Sequence, residues 1–206
     1  MDFQILIFFV VATAGLAFSP GPDNIFVLIQ SALCGKKTGM AVVMGLMTGC
    51  LIHTSLIAFG LSTFIQSNEG LYFILKLFGA SYMLFLAFKV YKFNVNFNQD
   101  HKSLQSYGFY ELFKQGFVMN VLNPKVSVFF LAFFPGFLFS ETMELYKQFY
   151  TLGILFILTS FSVFSCYVLL SSYFSKLFLK SPQRQLLLKR LQVGFFVGIA
   201  VVILIG

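Results

Sequence analysis

From Thr38 to Asn68 the chain runs for 31 residues without one Asp, Glu, Lys or Arg. A run of that length decides the solvent, because a bilayer core of about 30 Å takes about 20 apolar residues per helix, whereas a soluble helix carries charge on its outer face. Five further runs join it: Phe3 to Gly35 with a single charge, Asp23; Gly70 to Phe88 with Lys76; Gln115 to Ser140 with Lys125; Gln148 to Ser175 with none; and the shorter Leu191 to Gly206. At 58% hydrophobic and 10% charged, against roughly 25% charged in a soluble domain, the chain cannot clothe a soluble body. Disorder is excluded because its signature is low hydrophobicity. A nucleic-acid role would need the basic residues gathered on a polar face, so the net charge of +7 points to a membrane surface instead.

Helices are the expected state. Transmembrane strands alternate in polarity over about 10 residues, and runs such as Leu152 to Leu158 do not. Met1-Asp2 lacks the Lys or Arg of a signal-peptide n-region. Connectors one, three and five hold Lys36 and Lys37; Lys89, Lys92, Lys102 and Lys114; and Lys176, Lys180, Arg184, Lys189 and Arg190, which is 11 of the 14 basic residues. Lys and Arg in short loops favour the cytoplasm, so those connectors face it. Asp2, Glu69, Glu141, Glu144 and Lys147 fall on the other side with both termini. The expected fold is an all-α integral membrane protein of six transmembrane helices. They form two inverted three-helix repeats, residues 1–92 and 113–206, joined by a cytoplasmic linker at 93–112.

Helices 1 and 4 are expected to be broken, since their runs are too long for one span and each has proline near its centre. Ser19-Pro20-Gly21-Pro22-Asp23-Asn24 removes two backbone donors and frees the carbonyls of Leu16 and Phe18; Asn123-Pro124-Lys125 frees that of Asn120. Each break also reads as a helix restart, with Gly21 or Asn123 as cap and Pro22 or Pro124 at the first helical position. Unwound backbone at membrane depth must be buried in protein or line a cavity. A helix start attracts a carboxylate and free carbonyls attract an ammonium, so the pair suits a zwitterionic amino acid. Pro22 and Pro124 stand 102 residues apart with three helices before the repeat. An odd number inverts the second half, as in many secondary transporters.

Asp23 and Lys125 follow the two prolines at equivalent places, and they are expected to share one polar cavity, since intramembrane ionisable groups are functional candidates. The bland alternatives are a first-turn acid and a snorkelling or fixed counter-ion. His53 is either a proton carrier or a neutral imidazole bonded between helices. Lys76 either touches substrate or snorkels to the interface. Gly45 with Gly49, and Gly194 with Gly198, read as packing seams and permit a homodimer. Phe129-Phe130 and Phe133-Phe134 read as lipid-facing or helix-packing surface. Cys34, Cys50 and Cys166 show no disulfide or zinc spacing, and no cofactor motif is present.

These residues resemble the LysE-type amino-acid exporters, in particular the homoserine/threonine (RhtB-like) branch, over nearly the whole chain. The resemblance rests on residues 19–24, Gly35-x-x-x-Gly39, Gly45-x-x-x-Gly49, His53 before Gly60, and Leu75-Lys76-x-x-Gly79-Ala80-x-Tyr82. Phe113 through Gly116-Phe117, Asn120-x-Leu122-Asn123-Pro124-Lys125 and Phe134-Pro135-Gly136-Phe137 continue it, with Gly136 standing where the family commonly has a polar residue. The resemblance implies a bacterial inner-membrane transporter, not an enzyme, that moves amino acids outward in exchange for protons. Its substrate and proton site would draw on Pro20, Gly21, Pro22, Asp23, Asn24, His53, Lys76, Asn120, Asn123, Pro124 and Lys125. The competing readings are efflux of a metal cation or other small solute, for which Cys50 and His53 are one weak pair, and a membrane thiol-redox protein.

Overall fold

The computed structural model describes residues 3–19, 21–61, 69–92, 107–174 and 182–205. Pro20, Lys176, Lys180 and residues 93–106 of the 93–112 linker, Lys102 among them, lie outside them. The described residues are helical almost throughout, with no strand among them. In chain order the α-helices are α1 (Phe3–Phe18), α2 (Pro22–Cys34), α3 (Lys36–Leu56), α4 (Glu69–Lys92), α5 (Phe109–Val121), α6 (Pro124–Val128), α7 (Leu145–Leu169), α8 (Ser171–Phe174) and α9 (Pro182–Ile205). A π-helical turn, Ile57–Leu61, continues α3; a second, Phe129–Phe133, continues α6 and runs into a 3₁₀ turn, Phe134–Phe137.

Two stretches are long and apolar enough to cross a bilayer unaided, Lys36–Gly60 and Leu145–Leu169. Two more pass as bent pairs: α1 with α2, at 63°, and α5 with Pro124–Phe137, at 48°. The surface is apolar, with Phe8, Val11, Phe59, Phe78, Phe85 and Leu158 among its exposed side chains, while Asp23, Asn24, His53, Asn120, Asn123 and Lys125 are buried. Water does not tolerate that inversion and lipid does.

Small residues set the closest packing. A Cβ on Gly45 would strike the backbone carbonyl of Phe113, and one on Gly116 would strike that of Val42, so α3 and α5 approach backbone to backbone. Gly35, at φ 98°, joins α2 to α3 through a single residue in a conformation that favours glycine. The second anticipated seam is not formed among the described residues: Gly194 and Gly198 meet nothing within 4 Å, because both lie on the exposed face of α9. The aromatic runs are core packing rather than lipid surface. Phe129, Phe130, Phe133 and Phe134 are at most 2% exposed, with rings stacked at 4.4 Å (Phe129 on Phe133) and 4.2 Å (Phe130 on Phe134) and Phe9 of α1 set edge-on to Phe134.

Helix α9 begins at Pro182, well before the sixth apolar run, because its first turns carry the charged residues near Lys189 and Arg190. Its length, 24 residues, equals that of α4, against which it packs.

Candidate functional site

The carbonyls of Leu16 to Ser19, just before the first break, all have partners, and these come from both halves of the sequence. Proline offers no N–H, so the carbonyls of the last turn of α1 need other donors. That of Leu16 accepts the Ser19 N–H at 3.2 Å, in a 3₁₀-type closure. That of Ala17 accepts Nδ2 of Asn24, and that of Phe18 accepts the Tyr167 hydroxyl at 3.1 Å. The carbonyl of Ser19 accepts Nζ of Lys125 at 3.1 Å. A lysine on α6 thus closes the break between α1 and α2, 106 residues away.

The two restarts are capped differently. Asn123 caps α6 with its own side chain, Oδ1 accepting the Lys125 N–H at 3.0 Å, and its carbonyl accepts the N–H groups of Val126 and Ser127. That start is satisfied, so the symmetric expectation of free donors at both restarts fails at the second. At α2 the cap is Gly21, which has no side chain to give, and Pro22 fills the first position. A Cβ there would lie 3.2 Å from Lys125 Nζ and closer still to Asp23 Oδ1, so any side chain at position 21 would displace those two groups. The second break's carbonyl is not free either: that of Asn120 accepts the Asn123 N–H at 3.0 Å and lies 3.3 Å from His53 Nε2.

Asp23, Lys125 and Asn120 line one cavity of about 20 Å³. At roughly 10–15 Å³ per water, that is room for one or two waters and none for an amino acid. Asp23 is 4% exposed with Oδ1 unpartnered, and Lys125 is 6% exposed. Lys125 spends its ammonium on the Ser19 carbonyl rather than on a direct ion pair with Asp23. Asn120 donates from Nδ2 to Cys50 Sγ at 3.4 Å, and Oδ1 of Asn24 and Nδ2 of Asn123 are also buried without a partner. Low-dielectric surroundings make each such atom costly to leave bare.

His53 does not line this cavity. Against a carbonyl its Nε2 can only donate, and its ring lies 5.3 Å from that of Phe130; this is the geometry of an imidazole bonded between α3 and α5. Lys76 lines a separate cavity of about 50 Å³ with Phe133, Gly136, Phe137, Val202 and Ile203. The absent side chain at Gly136 leaves that space open.

Two groups at the break carried no signal in the sequence. Tyr167, which caps Phe18, and Ser160, which lines the cavity, both lie within the charge-free run of α7, with no motif around either. No group of three or more His, Cys, Asp or Glu suited to a metal occurs among the described residues, and the three cysteines are free.

An apolar helical bundle whose buried Asp and Lys stand just after two helix breaks fits a membrane translocator. The chain belongs to the LysE type translocator family, whose model it matches over residues 14–206. It is similar to the homoserine/homoserine lactone efflux protein of Salmonella typhimurium (strain LT2), at 28% identity over 184 residues, 89% of this chain and 88% of that protein. The Salmonella typhi protein of the same description matches to the same extent. No solved structure shows a significant match.

Proposed function

We propose that this protein exports small neutral amino acids, of the homoserine or threonine type, from the cytoplasm in exchange for protons. The observation that carries the reading is the Lys125 ammonium seated on the Ser19 carbonyl, with Lys125 and Asp23 lining one small cavity. That carbonyl is already an ammonium site. A zwitterionic substrate inserts between the two partners: its amine takes the Ser19 carbonyl, and its carboxylate takes the displaced Lys125. Asp23, buried with one oxygen bare, carries the exchanged proton in this reading, as the one carboxylate that lines the cavity. The efflux function of the Salmonella relatives supports both direction and substrate type.

The bundle in this reading has six spans in two inverted repeats with both termini outside, α4 and α9 crossing as well as the four apolar stretches. At 1.5 Å per residue, 24 residues reach about 36 Å, enough for the bilayer core.

The test is efflux from proteoliposomes driven by a pH gradient, over a panel of amino acids. Uptake of protons coupled to loss of homoserine or threonine is the expected result. Flux of none of the panel, or wild-type rates in Asp23→Asn and Lys125→Met, would overturn the proposal.

A further inference from the structure

Helix hydroxyls in this protein have a default partner. Ser31, Thr48, Thr54, Ser127, Thr151 and Ser162 each donate to the carbonyl four residues earlier, at 2.6 to 3.2 Å. Inside lipid or protein that back-bond is the cheapest way to satisfy a hydroxyl. Ser160 has the same option at the carbonyl of Phe156 and does not take it. Its Oγ is buried, at 2% exposure for the residue, and has no hydrogen-bond partner. Among the described residues, Ser160 alone of the unpartnered serines and threonines lines the cavity of Asp23 and Lys125. It is also the only polar group that α7 presents there, between Phe156 and Phe164 at a spacing of four along one helix face. The break forms one wall of the cavity; this apolar stripe with a single hydroxyl forms another.

We infer that Ser160 is a specificity-determining residue that hydrogen-bonds the side-chain hydroxyl of the transported amino acid. This rests on the amino-acid exporter reading above. With the α-ammonium on the Ser19 carbonyl and the α-carboxylate on Lys125, the side chain points away from the break, toward Phe156, Ser160 and Phe164. A hydroxyl can both donate to and accept from Ser160, while the two rings cover the methylenes. An isostere lacking the hydroxyl leaves the buried Ser160 Oγ bare, and sites built around such a bond discriminate strongly against that analogue.

The experiment compares L-homoserine with L-2-aminobutyrate, which differs from it only by the missing hydroxyl, in proteoliposomes of wild-type, Ser160→Ala and Ser160→Thr protein. The expected result is a wild-type preference for homoserine that falls about tenfold in Ser160→Ala and persists in Ser160→Thr. Because Ser160 Oγ has no partner within the chain, Ser160→Ala should keep or raise the thermal midpoint of the purified protein. A homoserine-to-aminobutyrate ratio unchanged in Ser160→Ala overturns the inference. So does a loss of thermal midpoint with equal loss of both fluxes, which marks the hydroxyl as structural. Wild-type protein that moves no amino acid overturns the exporter reading itself, and this assignment with it.

Discussion

Removing the Lys125 charge tests whether Asp23 and Lys125 occupy one electrostatic environment. In Lys125→Met the Ser19 carbonyl loses its donor, and a bond to a charged group contributes about 1.5–3 kcal/mol. The Asp23 carboxylate, 4% exposed, loses its nearby cation as well. The two charges are not within 4.0 Å of each other, so at an effective dielectric of about 20 their attraction stays below about 4 kcal/mol. Together these place the destabilisation of Lys125→Met at about 3–5 kcal/mol, the range for a buried charge deprived of its partner. Asp23→Asn costs less, because Lys125 keeps its bond to Ser19. In the double variant the uncompensated carboxylate is gone, and about 1–3 kcal/mol of the Lys125→Met loss should return. The assay is equilibrium unfolding of the four purified proteins in one detergent at pH 7. Losses that add to within about 0.5 kcal/mol would show that the two side chains do not interact, and the shared-site argument would fail.

Gly45→Ala places a methyl against the Phe113 carbonyl and within 2.7 Å of the Phe117 nitrogen, so α3 and α5 must separate, at a cost of about 1–3 kcal/mol read as a lower unfolding midpoint. Gly194→Ala meets nothing within 4 Å and should gain up to about 1 kcal/mol from helix propensity; a loss there would mean that a second copy covers that face. Gln148→Leu removes a clamp in which Oε1 accepts the N–H groups of Phe139 and Ser140 while Nε2 donates to the carbonyls of Ser140 and Met143, at 2.8–3.0 Å. The expected loss is about 1–3 kcal/mol, with faster amide exchange at Phe139 and Ser140. Tyr167→Phe leaves the Phe18 carbonyl without its donor and should cost about 1–3 kcal/mol in unfolding free energy.

Proline and its cap act locally, which is why both helix restarts were legible at the residue where the structure has them, Pro22 and Pro124. What the caps do with their donors was not, since it turns on one side chain: Asn123 has an oxygen to offer and Gly21 has none. A glycine pair says only that close approach is allowed. Gly45 and Gly49 are used because the backbone of Phe113 and Phe117 and the side chain of Asn120 face them, and that match is invisible until the helices are paired. Charge marks the apolar part of a helix, not its ends, so α9 begins earlier than its apolar run. Tyr167 and Ser160 sit among other tyrosines and serines of α7, and burial and the break's unmet carbonyl single them out, both tertiary facts.

The four carbonyls at the first break have partners of two kinds, and the difference bears on how the small cavity beside it can widen. Ser19 and Asn24 lie beside the break and move with it, so the bonds to Leu16 and Ala17 survive any rigid displacement of α1 and α2. Tyr167 and Lys125 belong to α7 and α6, so the bonds to Phe18 and Ser19 break when those helices move relative to the first break. Opening therefore frees two adjacent carbonyls, and each must find another donor at membrane depth. Water can serve the carbonyl of Phe18. In the proposed exporter reading, the carbonyl of Ser19, whose present donor is a cation, takes a substrate ammonium in its place, which leaves Lys125 free for the carboxylate on the same carbon. The π and 3₁₀ stretch after α6 lacks the regular ladder of an α-helix, whereas α3 and α5 are held backbone to backbone at Gly45 and Gly116.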